Sequence, residues 1–118
     1  MTSELQIHLG ETMDDIGARA IGAWHRMERG EAVNEKHVSF ATWETMVRVL
    51  SPKRLELLRH VHQNPAKNIR ALSQAIGRNY RRVYEDVEAL AAAGLLNRDK
   101  EGLRAEYASF DVAMRIAL

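Results

Sequence analysis

Leu5, Ile7 and Leu9 alternate with Gln6 and His8, the period of a half-buried strand, and Gly10 ends the run. From Glu11 the spacing becomes helical. Met13, Ile16, Ala20, Trp24 and Met27 form one stripe, Asp14 and Asp15 sit near the positive end of the helix dipole, and Gly30 stops the helix. Residues 31–36 are polar and read as a connecting loop, and Val38 and Phe40 as a brief extended segment. Thr42 then caps a short helix with Trp43, Met46, Val47 and Leu50 inward. Ser51-Pro52 is an N-cap followed by proline at the first helical position. The helix it opens runs to about Gln63 with Leu55, Leu58 and Val61 inside, and Asn64-Pro65 ends it.

Residues 68–96 carry the strongest local signal. Asn68 caps a helix with Leu72, Ala75 and Ile76 inward, and Gly77 closes it. Asn79 caps a second helix, in which Val83, Val87 and Leu90 repeat on one buried face until Gly94 and Leu95. With Val83 inward, steps of about 100° per residue place Arg81 and Glu85 on the outer face, with Arg82 and Tyr84 at its sides. After this pair come two short runs, 95–98 and 103–108, joined by a polar turn with Gly102, the pattern of a hairpin. Val112, Met114, Ile116 and Leu118 at period two predict a last strand over 111–118. Strands at the two ends leave two sheet edges, which pairing within one chain or between subunits would cover.

At 118 residues the chain is one domain plus appendages. No run approaches the ~20 apolar residues of a membrane span, and the first residues do not form a secretion signal. Zero cysteines exclude disulfides and thiolate metal sites and fit a cytoplasmic protein. The net charge of +1 hides an uneven distribution. Residues 51–82 hold eight basic side chains against Glu56 alone, whereas the segments on either side each carry a net −3. A basic block of this kind releases counterions from phosphates, while the acidic flanks suit a protein partner or simple solubility.

Phe40 and Trp43, then SPKRLELL at 51–58, then GRNYRRV at 77–83 followed by EDVEALAAAGLL, resemble the motifs of small prokaryotic regulators of the MarR type. The resemblance covers about two thirds of the chain. It implies a mainly α fold with a small β wing, a winged helix-turn-helix at 38–118, preceded at 1–37 by a strand and a dimerisation or partner helix. The implied function is sequence-specific DNA binding by a homodimeric repressor. Some members of the group resemble antitoxins, so the resemblance also implies autoregulation and a small toxin as partner.

On this reading Arg81 and Arg82 read base edges from the N-terminal half of the second helix, with Asn79, Tyr80 and Tyr84 beside them. Arg78 caps the turn, holds a phosphate or reads a base. Asn68, Arg70 and Ser73 lie where a helix start holds phosphate, and Arg98, Lys100 and Arg104 place the hairpin on the backbone or in the minor groove. The bland alternatives are an Arg81–Glu85 pair on a solvated face, plain capping by Asn68, a half-core Tyr80 and a solvated hairpin tip. Arg54 either serves the DNA backbone or pairs with an acidic neighbour. Met13, Ile16, Ala20, Trp24 and Met27 form a dimerisation stripe or, on the bland alternative, ordinary core packing; Gly17 and Gly22 each cost that helix about 1 kcal/mol, which packing, on a second subunit at close approach, would offset.

No metal is expected, because His60 and His62 diverge on their helix and the other three histidines are scattered. Neither a phosphate-binding glycine loop nor a nucleophile motif is present, so neither catalysis nor a cofactor is expected. Two rival readings use the same residues: a protein-interaction module whose arginines meet an acidic partner, and a ligand-responsive regulator with an apolar pocket near Trp24 and Trp43.

Overall fold

The structure, a computed structural model, describes residues 4–32, 35–115 and 118. In chain order it contains β1 (Glu4–Leu9), α1 (Met13–Glu28), β2 (Glu35–Phe40), α2 (Trp43–Val49), α3 (Pro52–Gln63), α4 (Ile69–Ile76), α5 (Tyr80–Ala92), β3 (Asn97–Asp99), β4 (Gly102–Arg104) and β5 (Phe110–Met114). Five helices with two small sheets make this an α+β fold.

β1 is the middle strand of a parallel sheet ordered β2-β1-β5. Leu5 stands between Lys36 and Phe110, Ile7 between Val38 and Val112, and Leu9 between Phe40 and Met114. Partners in register share a face, so one side of the sheet is apolar apart from Lys36 and the other carries Gln6, His8, His37, Ser39 and Asp111. Leu5, Ile7 and Leu9 are buried in one core with Leu57 and Val61 of α3, Leu72 of α4, and Val83, Val87 and Leu90 of α5. The two end strands therefore meet inside one chain. A boundary between residues 37 and 38 falls within β2, and the residues before it supply part of the common core.

Several sequence expectations change. Residues 35 and 36 belong to β2 rather than to a loop, and Lys36 donates to the Gly94 carbonyl at 3.2 Å, placing a cation at the C-terminal end of α5. In α2 only Met46 is buried, while Trp43 and Val47 face outward; in α3 the buried set is Leu57, Leu58 and Val61 with Leu55 only partly covered. Ile69 replaces Ala75 in the inward face of α4. The hairpin strands are shorter than the runs at 95–98 and 103–108, and the last strand ends at Met114, with 116–117 outside the described residues.

α1 behaves unlike the other helices. Thr12 and Asp15 form a reciprocal capping box, with bonds of 2.8 and 3.2 Å, yet no residue of α1 is buried. Its partly covered side holds Ile16, Arg19, Ala23 and Arg26, and Arg19 grips Glu11 with two bonds of 2.6 and 2.9 Å. Glu11 also accepts from Ser39 on the polar side of the sheet, where His8 and His37 are bonded at 2.8 Å. The Arg19 bond first, then Ser39 and His8, lower the Glu11 pKa from 4.5 to about 2 against the opposing effect of desolvation. A depressed carboxylate stabilises the fold above its unfolded value and loses that contribution as pH falls through the folded one. Glu11→Gln is therefore expected to lower the melting temperature at neutral pH and to flatten its decline between about pH 4.5 and 2; an unchanged acid limb in thermal melts would show that Glu11 is not linked to folding.

The hairpin is clamped to the turn between α3 and α4. Leu103 donates to the Ala66 carbonyl at 2.8 Å and Ala66 donates back at 3.1 Å. Gly102 makes this approach possible: its φ is +132°, and a Cβ there would lie 2.2 Å from the Ala66 carbonyl oxygen. Gly102→Ala is expected to cost about 2–3 kcal/mol in urea denaturation, from backbone strain and displacement of the hairpin. A midpoint equal to that of the wild type would refute the clamp.

Candidate nucleic-acid interface

Two capped helices set the geometry. Asn68 accepts from the Ala71 amide at 2.8 Å and so starts α4. Gly77, at φ +65°, ends it in the left-handed conformation, and Asn79 accepts from the Arg81 and Arg82 amides at 2.9 and 3.4 Å to start α5 three residues later. With Val83, Val87 and Leu90 fully buried, α5 must present its other side outward.

Arg81 is 89% exposed and only 3.7 Å from Glu85, an i, i+4 pair too solvated to hold it. Arg82 is also exposed and has no ion-pair partner among the described residues. Tyr80 and Tyr84 stand beside them, ring centroids 6.4 Å apart and both more than two-fifths exposed. Arg98 lies over the Tyr84 ring at 5.8 Å and pairs with Glu88.

A groove of about 370 Å³ opens between the N-terminus of α4, the start of α5 and the hairpin. Asn68, Arg70, Tyr80 and Arg98 line it together, with Lys67 and Asp99. Four residues singled out in the sequence thus converge from three elements. Lys67 was missed there; its signal was its place in the basic block, immediately before the Asn68 cap.

Other expected contacts are used up internally. Ser73 is buried and its hydroxyl donates to the Arg70 carbonyl at 2.8 Å, so it does not belong to the exposed cluster. Arg78 donates to Asp86 at 2.8 Å, and the second Asp86 oxygen accepts from Arg54 at 3.0 Å. Arg54 also donates to the Arg48 and Val49 carbonyls, tying the end of α2 to α3 and α5. For Arg54 the ion-pair alternative is the one realised, whereas the Arg78 side chain takes an ion pair with Asp86 that was not among the roles read for it. Arg104 pairs with Asp99 at 2.6 Å, while Lys100 stays exposed at the hairpin tip. The Asp99 pKa is lowered first by the Glu101 amide and then by Arg104, against some desolvation.

The HVO_A0114 family profile matches residues 49–112, which is 64 of the 118 residues and includes every side chain of the groove. The chain belongs to the HVO_A0114 family. Nothing among curated proteins and nothing among solved structures matches it. The matched region of this HVO_A0114 member starts at the last residue of α2 and ends within β5. It leaves β1, α1 and β2 outside, although β1 supplies three core residues to the matched part. Among the described residues no group of three or more His, Cys, Asp or Glu side chains is placed to hold a metal, and no helix is long and apolar enough to cross a membrane.

Proposed function

We propose that the protein is a sequence-specific DNA-binding transcriptional regulator that uses α3, α4, α5 and the β3–β4 hairpin as a winged helix-turn-helix. One observation carries this reading: exposed Arg81 and Arg82 at the start of α5 stand next to a groove whose rim carries Lys67, Arg70 and Arg98. The first pair suits base edges in the major groove, and the rim suits the flanking phosphates. The ion pairs of Glu88 with Arg98 and of Asp86 with Arg78 partly neutralise the acidic half of α5, which otherwise would repel the duplex. The MarR-type resemblance of the motifs supports the same reading. It further implies an antitoxin role, for which growth arrest by the adjacent open reading frame expressed alone is the expected result; unaffected growth would remove that role.

Titrating labelled DNA from upstream of the gene is expected to give a specific complex that weakens as salt rises. Lys67→Ala and Arg70→Ala are each expected to weaken binding equally on specific and unrelated duplexes and to reduce the salt slope by about 1, as loss of one phosphate contact does. An unchanged slope in both variants would take the groove out of the interface. No binding to any duplex, with capture of an acidic protein instead, would favour the protein-interaction reading.

A further inference from the structure

His8 of β1 and His37 of β2 meet on the polar side of the sheet, the side that α1 covers. His8 Nε2 and His37 Nδ1 are 2.8 Å apart, the ring planes are 33° from parallel with centroids 5.0 Å apart, and the His8 side chain is only 17% exposed. Both residues lie outside the matched region 49–112, and the DNA-binding reading makes no use of them.

A bond between two imidazoles needs one N–H and one bare nitrogen at the contact, and each neutral ring carries a single hydrogen on its two nitrogens. A first added proton leaves the bond intact. Carried by His8, it gives a cation whose Nδ1–H stands 3.7 Å from Glu11 Oε2 and whose Nε2–H donates to His37 Nδ1. Whichever ring carries that proton, the only nitrogen still bare is the acceptor of the bond. A second proton can bind nowhere else. It sets N–H against N–H and cation against cation, so the rings must part.

We infer that the His8–His37 pair is a proton-sensitive latch, which keeps α1 on the sheet while it holds at most one added proton and releases the helix when it takes up a second. No residue of α1 is buried, so little else retains it. Its partly covered side carries Arg19 and Arg26, and a second imidazolium adds to that cationic underside. Glu11, already shared by Arg19 and Ser39, is the carboxylate beside the pair. Asp111 shares this side of the sheet from β5, and Glu4 and Glu35 are the first residues of β1 and β2. The ionic ties of α1 do not sense the same protons. Arg19 above all lowers the Glu11 pKa to about 2, and the Thr12 amide first and then Arg115 lower that of Asp15, so both stay ionised where histidines change charge. His25, 3.6 Å from Glu28 in the last turn of α1, acts with the opposite sign, because its protonation favours the helix. The latch does not depend on DNA recognition, and the two fail separately.

Hydrogen exchange of the full chain, with rates corrected for the intrinsic effect of pH, reads α1 and α5 separately. Between about pH 7.5 and about pH 5, α1 is expected to lose protection by up to about tenfold per pH unit, the limit for uptake of one proton, while α5 keeps its own. His37→Gln retains an amide donor for His8 but cannot take the proton, and α1 is expected to stay protected throughout; His8→Gln tests the same contact from the other ring. In the wild type, imidazole nitrogen shifts are expected to show the second proton entering over the range in which α1 opens. Protection of α1 that is indifferent to pH in the wild type, or a loss that persists undiminished in both variants, would overturn the latch. Entry of the second proton with α1 still protected would do the same. Opening of α5 in step with α1 would make the event acid unfolding of the whole core and also overturn the inference. A variant that does not fold, recognised by an unprotected α5, leaves the decision to the other variant and to the wild-type shifts.

Discussion

Replacing Arg81 and Arg82 together by alanine is expected to abolish discrimination between the operator and unrelated DNA while leaving the fold intact. Each good arginine–guanine pair is worth about 1–3 kcal/mol, so losing both is expected to cost about 2–6 kcal/mol, roughly 30-fold to 10⁴-fold in affinity for the specific site. Binding to unrelated DNA falls less, because only the charge of the two groups is lost there. Neither side chain has a contact that the fold needs: Arg81 is 89% exposed beside Glu85, and Arg82 is exposed with no ion-pair partner among the described residues. Stability is expected to stay within about 0.5 kcal/mol of wild type, as for other open surface positions. The measurement is competition of labelled operator with specific and scrambled duplexes. A specificity ratio unchanged in the double variant would show that the start of α5 does not read the sequence.

Asp86 gives the second large effect, and it acts on the fold. Its two oxygens accept from Arg54 at 3.0 Å and Arg78 at 2.8 Å, and its side chain is only 13% exposed. Asp86→Ala leaves two guanidinium groups, each about one-fifth exposed, without their counter-charge. Breaking a buried pair costs about 3–5 kcal/mol; with two arginines still partly hydrated, about 2–4 kcal/mol is expected. That is a large share of the roughly 5–15 kcal/mol that holds a domain of this size. Arg78→Ala is expected to cost less, because Asp86 then keeps Arg54 and the anchored end of α2. The order of urea midpoints, wild type above Arg78→Ala above Asp86→Ala, tests the assignment. Equal midpoints for the two variants would mean that Asp86 does not bridge.

What could be read from the chain depended on how local its cause was. α4 and α5 were legible because caps, left-handed glycine and apolar spacing all lie within 30 residues and agree with one another. The start of α3 was legible for the same reason, with Ser51 accepting from the Arg54 amide ahead of Pro52. Only the Val38–Phe40 part of β2 was legible, because Lys36 and the exposed Ser39 give the strand a polar appearance, and its first residues become strand through pairing with β1. The apolar stripe of α1 was legible but not what it faces, because periodicity locates a stripe without saying what covers it. Here the stripe faces outward, and a network of Arg19, Glu11 and Ser39 lies beneath the helix. Among candidate site residues, the exposed arginines of α5 were legible from phase alone, whereas the loss of Ser73 and Arg78 to internal bonds depended on contacts with other backbone and side chains.

The position of β1 between β2 and β5 also dictates when the fold can close. Leu5 pairs with Lys36 on one side and with Phe110, in a strand that follows every helix, on the other. The second pairing carries the loop-closure entropy of all the helices and the hairpin between, so local contacts in α4 and α5 are favoured to form earlier. On the ribosome, β1 therefore waits as an apolar strand with one edge unmatched until β5 has emerged.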